Sequence, residues 1–161
     1  MIYSIFAVSL NGIIGQNGRI PWKSSVDMRF FRKMTTGNCV VMGRRTYESV
    51  GFLKKRKNIV LTSGNVEDER IIVERSIGDA LNRWKKCFSC YDLYFIGGAN
   101  IYHNVIDQKI PDLLYINVIQ KSVSGDTSVK YMKDGELEVD GYKMLSERTE
   151  DECVFTEWER V

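Results

Sequence analysis

The sequence predicts a three-layer α-β-α fold around a mixed, mostly parallel sheet that is closed by an antiparallel C-terminal hairpin. Three observations predict it. Apolar, β-rich runs alternate with amphipathic helical stretches, the pattern of an α/β protein. Glycines stand where strands pass into helices, at Gly43 and at Gly97-Gly98. Beyond about residue 132 the helical pattern stops, and two strands flank the polar turn Glu150-Asp151-Glu152.

Residues 2–10 are almost continuously apolar and end in Asn11-Gly12, which reads as a buried strand and a turn. Gly12, Gly15 and Gly18 then punctuate a loop that runs to Pro21-Trp22, a candidate lid. Ser24 or Ser25 can cap the helix that follows. On that helix Asp27 and Phe31 share one face with Met28 beside them, while Val26, Phe30 and Met34 turn to a core.

Residues 39–42 form a short strand, and Gly43-Arg44-Arg45-Thr46 opens a helix that runs to Val50 and is closed by Gly51. A strand, a glycine and a helix start with two arginines and a hydroxyl make a phosphate-binding arrangement. The alternative is a tight turn with solvated arginines. The basic run Lys54-Lys55-Arg56-Lys57 precedes a strand at 58–62, and 71–73 is another short strand. Ser76 can cap a helix at 77–85.

A buried strand at 93–96 leads through Gly97-Gly98 into a helix carrying Ile101, Tyr102, Val105 and Ile106. Paired glycines there admit a ligand phosphate to a helix N-terminus, although no GxGxxG fingerprint is present. Residues 113–118 are a strand, Gly125-Asp126-Thr127 a turn, and 142–145 with 153–160 the closing hairpin.

Length and composition narrow the function classes. The chain of 161 residues fits one domain, 1–161, large enough to bury a core without disulfides or metal. A net charge of +2 supplies no general field for nucleic acid or acidic membranes. No apolar run reaches transmembrane length and no signal peptide is visible, so a cytoplasmic monomer is expected. Cys39 and Cys153 read as core residues. Cys87 and Cys90 have CxxC spacing but no second pair, and His103 is the sole histidine, so free thiols and no metal site are expected.

Asp27 is the best candidate for chemistry, and two readings of it compete. As the third helical residue after Ser24 it resembles a capping box, which would lower its pKa. Desolvation by Trp22, Met28 and Phe31 would raise it instead.

Six groups of residues, in order and in spacing, make the chain resemble the dihydrofolate reductases of bacterial or phage type. They are Gly15 with Ile20-Pro21-Trp22, Asp27 with Phe31, the stretch from Val41 to Gly51, Arg56 with Asn58, Ile96-Gly97-Gly98 with Tyr102, and Gly125-Asp126-Thr127. The resemblance implies the family's mixed eight-stranded sheet with about four helices. It also implies NADPH-dependent reduction of 7,8-dihydrofolate to tetrahydrofolate for one-carbon and nucleotide metabolism. Dihydrofolate and antifolate inhibitors would be the partners.

Carried across by residue, Asp27 would hold the pterin's amidine edge and favour a proton on N5, with Trp22 and Ile20 completing the catalytic surroundings. Ile5, Ala7, Met28, Phe31, Val50, Leu53, Ile96 and Asn117 would line the folate site. Arg56 would clamp the α-carboxylate of the glutamate tail. On the cofactor side the resemblance places Ala7, Ile14, Gly15 and Ile20 near the nicotinamide. Gly43, Arg44, Arg45 and Thr46 would lie at one phosphate turn; Ile96, Gly97, Gly98, Ala99, Asn100, Ile101 and Tyr102 at the other. Arg44, Thr62, Ser63 and Arg75 would meet the adenosine 2′-phosphate, with Leu61 beside them on the cofactor side, and Thr127 near the lid would complete the cofactor site. The loop from Gly12 to Trp22 would be that lid, its backbone bonded by Asp126 when closed.

Departures from the family pattern are as informative. Asn117 stands where the family usually has a threonine that bonds the acid and, through water, the pterin. Ser24-Ser25 replaces a Leu-Pro, the stretch 52–55 lacks prolines and is one residue short, and Asn100 replaces a frequent basic residue. Two other readings remain open on sequence alone: a same-fold reductase of a pyrimidine intermediate in riboflavin synthesis, and a non-catalytic NADPH or folate binder.

Overall fold

The computed structural model describes residues 1–161. The chain runs β1 (Ile2–Ser9), β2 (Ile13–Gly15), α1 (Ser25–Thr35), β3 (Cys39–Gly43), α2 (Arg44–Val50), β4 (Lys57–Leu61), β5 (Ile71–Glu74), α3 (Ile77–Cys87) and β6 (Leu93–Phe95). It continues through α4 (Ala99–Asp107), β7 (Leu113–Ile119), β8 (Thr127–Ser128), β9 (Met132–Lys133), β10 (Glu136–Leu137), β11 (Tyr142–Glu150) and β12 (Cys153–Arg160). Eight strands form one sheet in the order β11-β12-β7-β1-β6-β3-β4-β5. From β7 to β5 every pairing is parallel, while β12 runs antiparallel to both β7 and β11.

Side-chain alternation sends the sheet's apolar residues to two layers. Phe6, Val8, Val41 and Ile59 pack with Ala80 of α3 and with Val105 and Ile106 of α4. On the other face Ile5, Val40, Met42, Val60 and Ile96 meet Phe30, Phe31 and Met34 of α1 and Tyr47 of α2. Cys39 and Cys153 are fully buried free thiols, and Cys87 and Cys90 are exposed free thiols at the end of α3. Capping follows the sequence: Ser24 Oγ accepts from the Asp27 amide and Ser76 Oγ from the Asp79 amide.

Four short strands have no counterpart in the sequence pattern. β2 and β8 pair with each other, as do β9 and β10. At two or three residues each they are too short for a period-2 signal. β11 extends to Glu150, well past the expected end at 145. Its second half is polar and exposed, and it is a strand because β12 supplies a hydrogen-bonding partner; a register shift between Met144 and Ser146 marks the change.

Candidate active site

Asp27 belongs to the first turn of α1 but does not cap it. Its backbone N–H is satisfied by Ser24 Oγ at 3.2 Å, which leaves the carboxylate free. That carboxylate meets the sheet, where Asn117 Nδ2 donates to Asp27 Oδ1 at 2.9 Å. Asn117 lies on β7 between Ala7 of β1 and Phe155 of β12, and is only 1% exposed. Burial holds the Asp27 carboxyl above the ordinary carboxylate value, and the opposing hydrogen bond from Asn117 is the smaller effect. The capping reading with a lowered pKa is therefore corrected. The charge of Asp27 is felt by the two titratable groups Tyr102 and Cys153, whose pKa values burial raises first.

Beside the acid, Ile5 and Ile96 are buried, with Phe31 and Leu53 packed against their cluster. Met28 and Val50 are large apolar side chains left 59% and 49% exposed on α1 and α2. Leu53 is fixed by Asn58, which accepts from the Leu53 amide and donates to the carbonyls of Leu53 and Arg56 at 2.9–3.0 Å. This shortened connection thus needs no proline to be held. Arg56 donates to Thr36 Oγ1 at 3.2 Å and lies 5.9 Å from the Phe31 ring centre. Its Nε is buried with no partner, and burial followed by the charge of Arg32 lowers its pKa. Of its outer nitrogens only Nη2 is bonded, to Thr36, and a half-buried guanidinium with free Nη hydrogens is matched by a carboxylate.

The expected phosphate turns lie side by side. β3 and β6 are neighbours, and the Gly43 amide donates to the Gly97 carbonyl at 2.8 Å. Gly97 has φ +122°, where a Cβ would also meet the Tyr102 hydroxyl at 3.2 Å. The Gly97-Gly98 peptide is cis. Gly43 and Gly98, which precede α2 and α4, supply no side-chain cap, so neither first turn has a side-chain acceptor from its cap. Thr46 Oγ1 stands beside Gly98, and Ile101 beside Gly43. Ala99 and the exposed Asn100 open α4, and the buried Tyr102 donates to the Ile5 carbonyl at 2.9 Å.

The cations divide. Arg45 is exposed, and Arg44 is exposed and paired with Glu48 at 3.0 Å. Arg75 instead donates to the carbonyls of Thr62 and Gly64. Through Nη1 the exposed guanidinium shapes the turn after Leu61 that carries Thr62 and Ser63. Thr62 Oγ1 accepts from the Gly64 amide at 3.1 Å in the same turn.

The lid is strapped between Ile13 and Gly18. Asp126 accepts from the Asn17 amide at 2.9 Å, and the Asp126 amide donates to the Gly15 carbonyl at 3.1 Å. The Asn17 amide first, and then the Thr127 hydroxyl, hold the Asp126 carboxyl below its ordinary range. Ile14 and Gly15 lie in β2, which pairs with Thr127 and Ser128. Ser49 of α2 donates to the Gly18 carbonyl. No sequence pattern marked Ser49 as a lid contact, because the bond joins segments 31 residues apart. Ile20 is 57% exposed, whereas Trp22 packs against the Val26–Phe155 cluster with its Nε1 buried and unpartnered. A Cβ on Gly125 would collide with Ile13 and lie 2.7 Å from the Gly15 carbonyl. Gly125→Ala is expected to cost about 1–3 kcal/mol by overpacking this strap, measured by denaturant unfolding.

Comparisons with known proteins agree with this geometry. The family model described as dihydrofolate reductase matches residues 1–160. The chain is 35% identical over 154 residues to a dihydrofolate reductase of Haemophilus influenzae, covering 94% of this chain and 93% of that one. It is 37% identical over 128 residues to that of Bacillus subtilis, covering 78% and 73%. Among solved structures, a dihydrofolate reductase from Enterococcus faecalis complexed with NADP(H) and RAB-propyl superposes with a TM-score of 0.84 at 28% identity, covering 99% of this chain and 96% of that one. With a half-buried acid on α1, twin glycine turns and a strapped loop matched along the whole sheet, the chain belongs to the dihydrofolate reductase family.

Proposed function

We propose that this chain reduces 7,8-dihydrofolate to 5,6,7,8-tetrahydrofolate with NADPH, and that Asp27 is the acid around which the reaction is built. One observation carries the assignment of Asp27: a desolvated carboxylate held by Asn117, with a buried, unpartnered acceptor at Asn117 Oδ1. A 2-amino-pyrimidinone edge presents the parallel N–H donors that such a carboxylate accepts. The negative charge in a desolvated site also favours a proton at pterin N5.

The remaining roles follow from position. Ile5, Ala7, Phe31, Leu53 and Ile96, with Met28 and Val50 at the rim, exclude water from the ring and its aryl tail. Arg56 meets the tail's α-carboxylate. The uncapped starts of α2 and α4, with Arg44, Arg45 and Thr46, fit the phosphates of a dinucleotide. The turn at Thr62 and Ser63 fits its adenosine end. When bound, NADPH supplies the hydride delivered to pterin C6. The loop through Ile20 and Trp22, strapped by Asp126 and Ser49, closes the site over the reacting edge.

The reading extends to a single catalytic domain over 1–161 that acts as a cytoplasmic monomer without a nucleic-acid partner. In support, no helix is long and apolar enough to cross a membrane, and the net charge is only +2. Antifolates that present the same amidine edge are expected to compete at Asp27.

The test is NADPH oxidation by the purified chain with dihydrofolate, compared with the pyrimidine substrate of the riboflavin-pathway reductases. Turnover with dihydrofolate alone is expected. Turnover with the pyrimidine alone would move the chain to the same-fold alternative. NADPH binding without turnover on either would make it a binder.

A further inference from the structure

We infer that Gly64 is a positioning residue for cofactor choice: the space left by its missing side chain seats the Arg44 guanidinium where it meets a phosphate monoester on the ribose of the dinucleotide's adenosine. The inference rests on the functional reading above and adds a residue to it.

The backbone does not explain a glycine here. Gly64 lies outside the left-handed region, so its φ is open to residues with side chains. What a side chain would meet is Arg44. A Cβ on Gly64 would stand 2.7 Å from Arg44 Nη1 and 3.7 Å from Thr62 Oγ1, and apart from its chain neighbours nothing else lies within 4 Å. Arg44 comes from α2 and Gly64 from the turn after β4, so the bare position is where the two elements meet.

Its surroundings suit an anion. Glu48, one helical turn on from Arg44, accepts from its Nε at 3.0 Å and steadies the guanidinium from the far side. An exposed ion pair of this kind fixes geometry more than it adds stability. Arg75 Nη1 donates to the carbonyls of Thr62 and Gly64, and so occupies two oxygens that would repel a phosphate. The Gly64 amide donates to Thr62 Oγ1 at 3.1 Å, which leaves the hydroxyl's own hydrogen free to donate. A cation and a free hydroxyl donor thus border one bare position. A phosphate monoester has the charge and the acceptor oxygens to use both, whereas an unphosphorylated ribose brings no charge to Arg44.

The consequence is a cofactor preference that a single methyl group weakens. In Gly64→Ala the atom that must move is the end of a flexible side chain, so the guanidinium shifts and the fold is kept. The experiment titrates NADPH and NADH by fluorescence against the wild type, Gly64→Ala, Arg44→Leu and the double variant, and reads the ratio of the two dissociation constants. The preference for NADPH is expected to fall about 10- to 100-fold in Arg44→Leu, the worth of a charged hydrogen bond. In Gly64→Ala it is expected to fall about fivefold, since the guanidinium is displaced and not removed. In the Arg44→Leu background, Gly64→Ala is expected to change nothing further.

An unchanged ratio in folded Gly64→Ala overturns the inference and leaves the functional reading standing. So does an equal fall in both backgrounds, which would place the effect in the turn and not in Arg44. An unchanged ratio in Arg44→Leu overturns it whatever Gly64→Ala does. A wild type that binds neither dinucleotide overturns the functional reading itself.

Discussion

Asp27→Asn is expected to lower turnover of dihydrofolate at neutral pH by about 10²–10⁴-fold while leaving the fold intact. The helix does not need the carboxylate, because Ser24 caps α1 through the backbone N–H of residue 27. What disappears is the negative charge that pairs with the amidine edge and supports a proton on N5. Near-wild-type turnover would reduce Asp27 to a helix residue. The same substitution is expected to stabilise the protein, and the sign follows from burial. The folded-state pKa of Asp27 lies above its unfolded value. Folding is therefore opposed once the pH rises through the folded pKa, and is unopposed below the unfolded pKa. Thermal unfolding should give a higher Tm for Asp27→Asn at neutral pH, and no gain under acid conditions where the carboxyl is protonated in both states.

The second large effect is expected at Arg56. Arg56→Leu should raise the KM for dihydrofolate by about 10²-fold, corresponding to about 3 kcal/mol, with kcat changed much less. Arg56 is distant in role from the reacting edge, and its free Nη hydrogens are what a carboxylate would take. The loss belongs to binding, so it should appear equally in ground and transition states. Leucine keeps apolar contact with Phe31, and the cost in stability is small because the Thr36 bond is an exposed one. An equal loss in kcat would mean that Arg56 instead positions the pterin.

The parts of the structure legible in the sequence are those written as local patterns. The run in β1, the Ser24 and Ser76 caps, and the glycines ending β3 and β6 each leave a signal within a few residues. Asp27 was legible as an acid among apolar side chains, but whether it capped or faced a pocket was not. That depended on Asn117, 90 residues away. The lid's fastening was half legible: Asp126 was named by its turn, whereas Ser49 reaches Gly18 only because α2 and the loop meet in space. Arg75 was legible as a cation near the turn at Thr62 and Ser63, but its backbone contacts were not. Two backbone carbonyls compete for its guanidinium, and neither leaves a mark in the sequence.

The central claim is that the half-buried charge of Asp27 sets the proton chemistry, and the pH dependence of turnover tests it most directly. With saturating NADPH and dihydrofolate, wild-type turnover is expected to fall as the pH rises through an apparent pKa above the ordinary carboxylate range. In Asp27→Asn that midpoint is expected to move to lower pH, because the charge supporting the proton has gone. The same midpoint in both proteins would contradict the account.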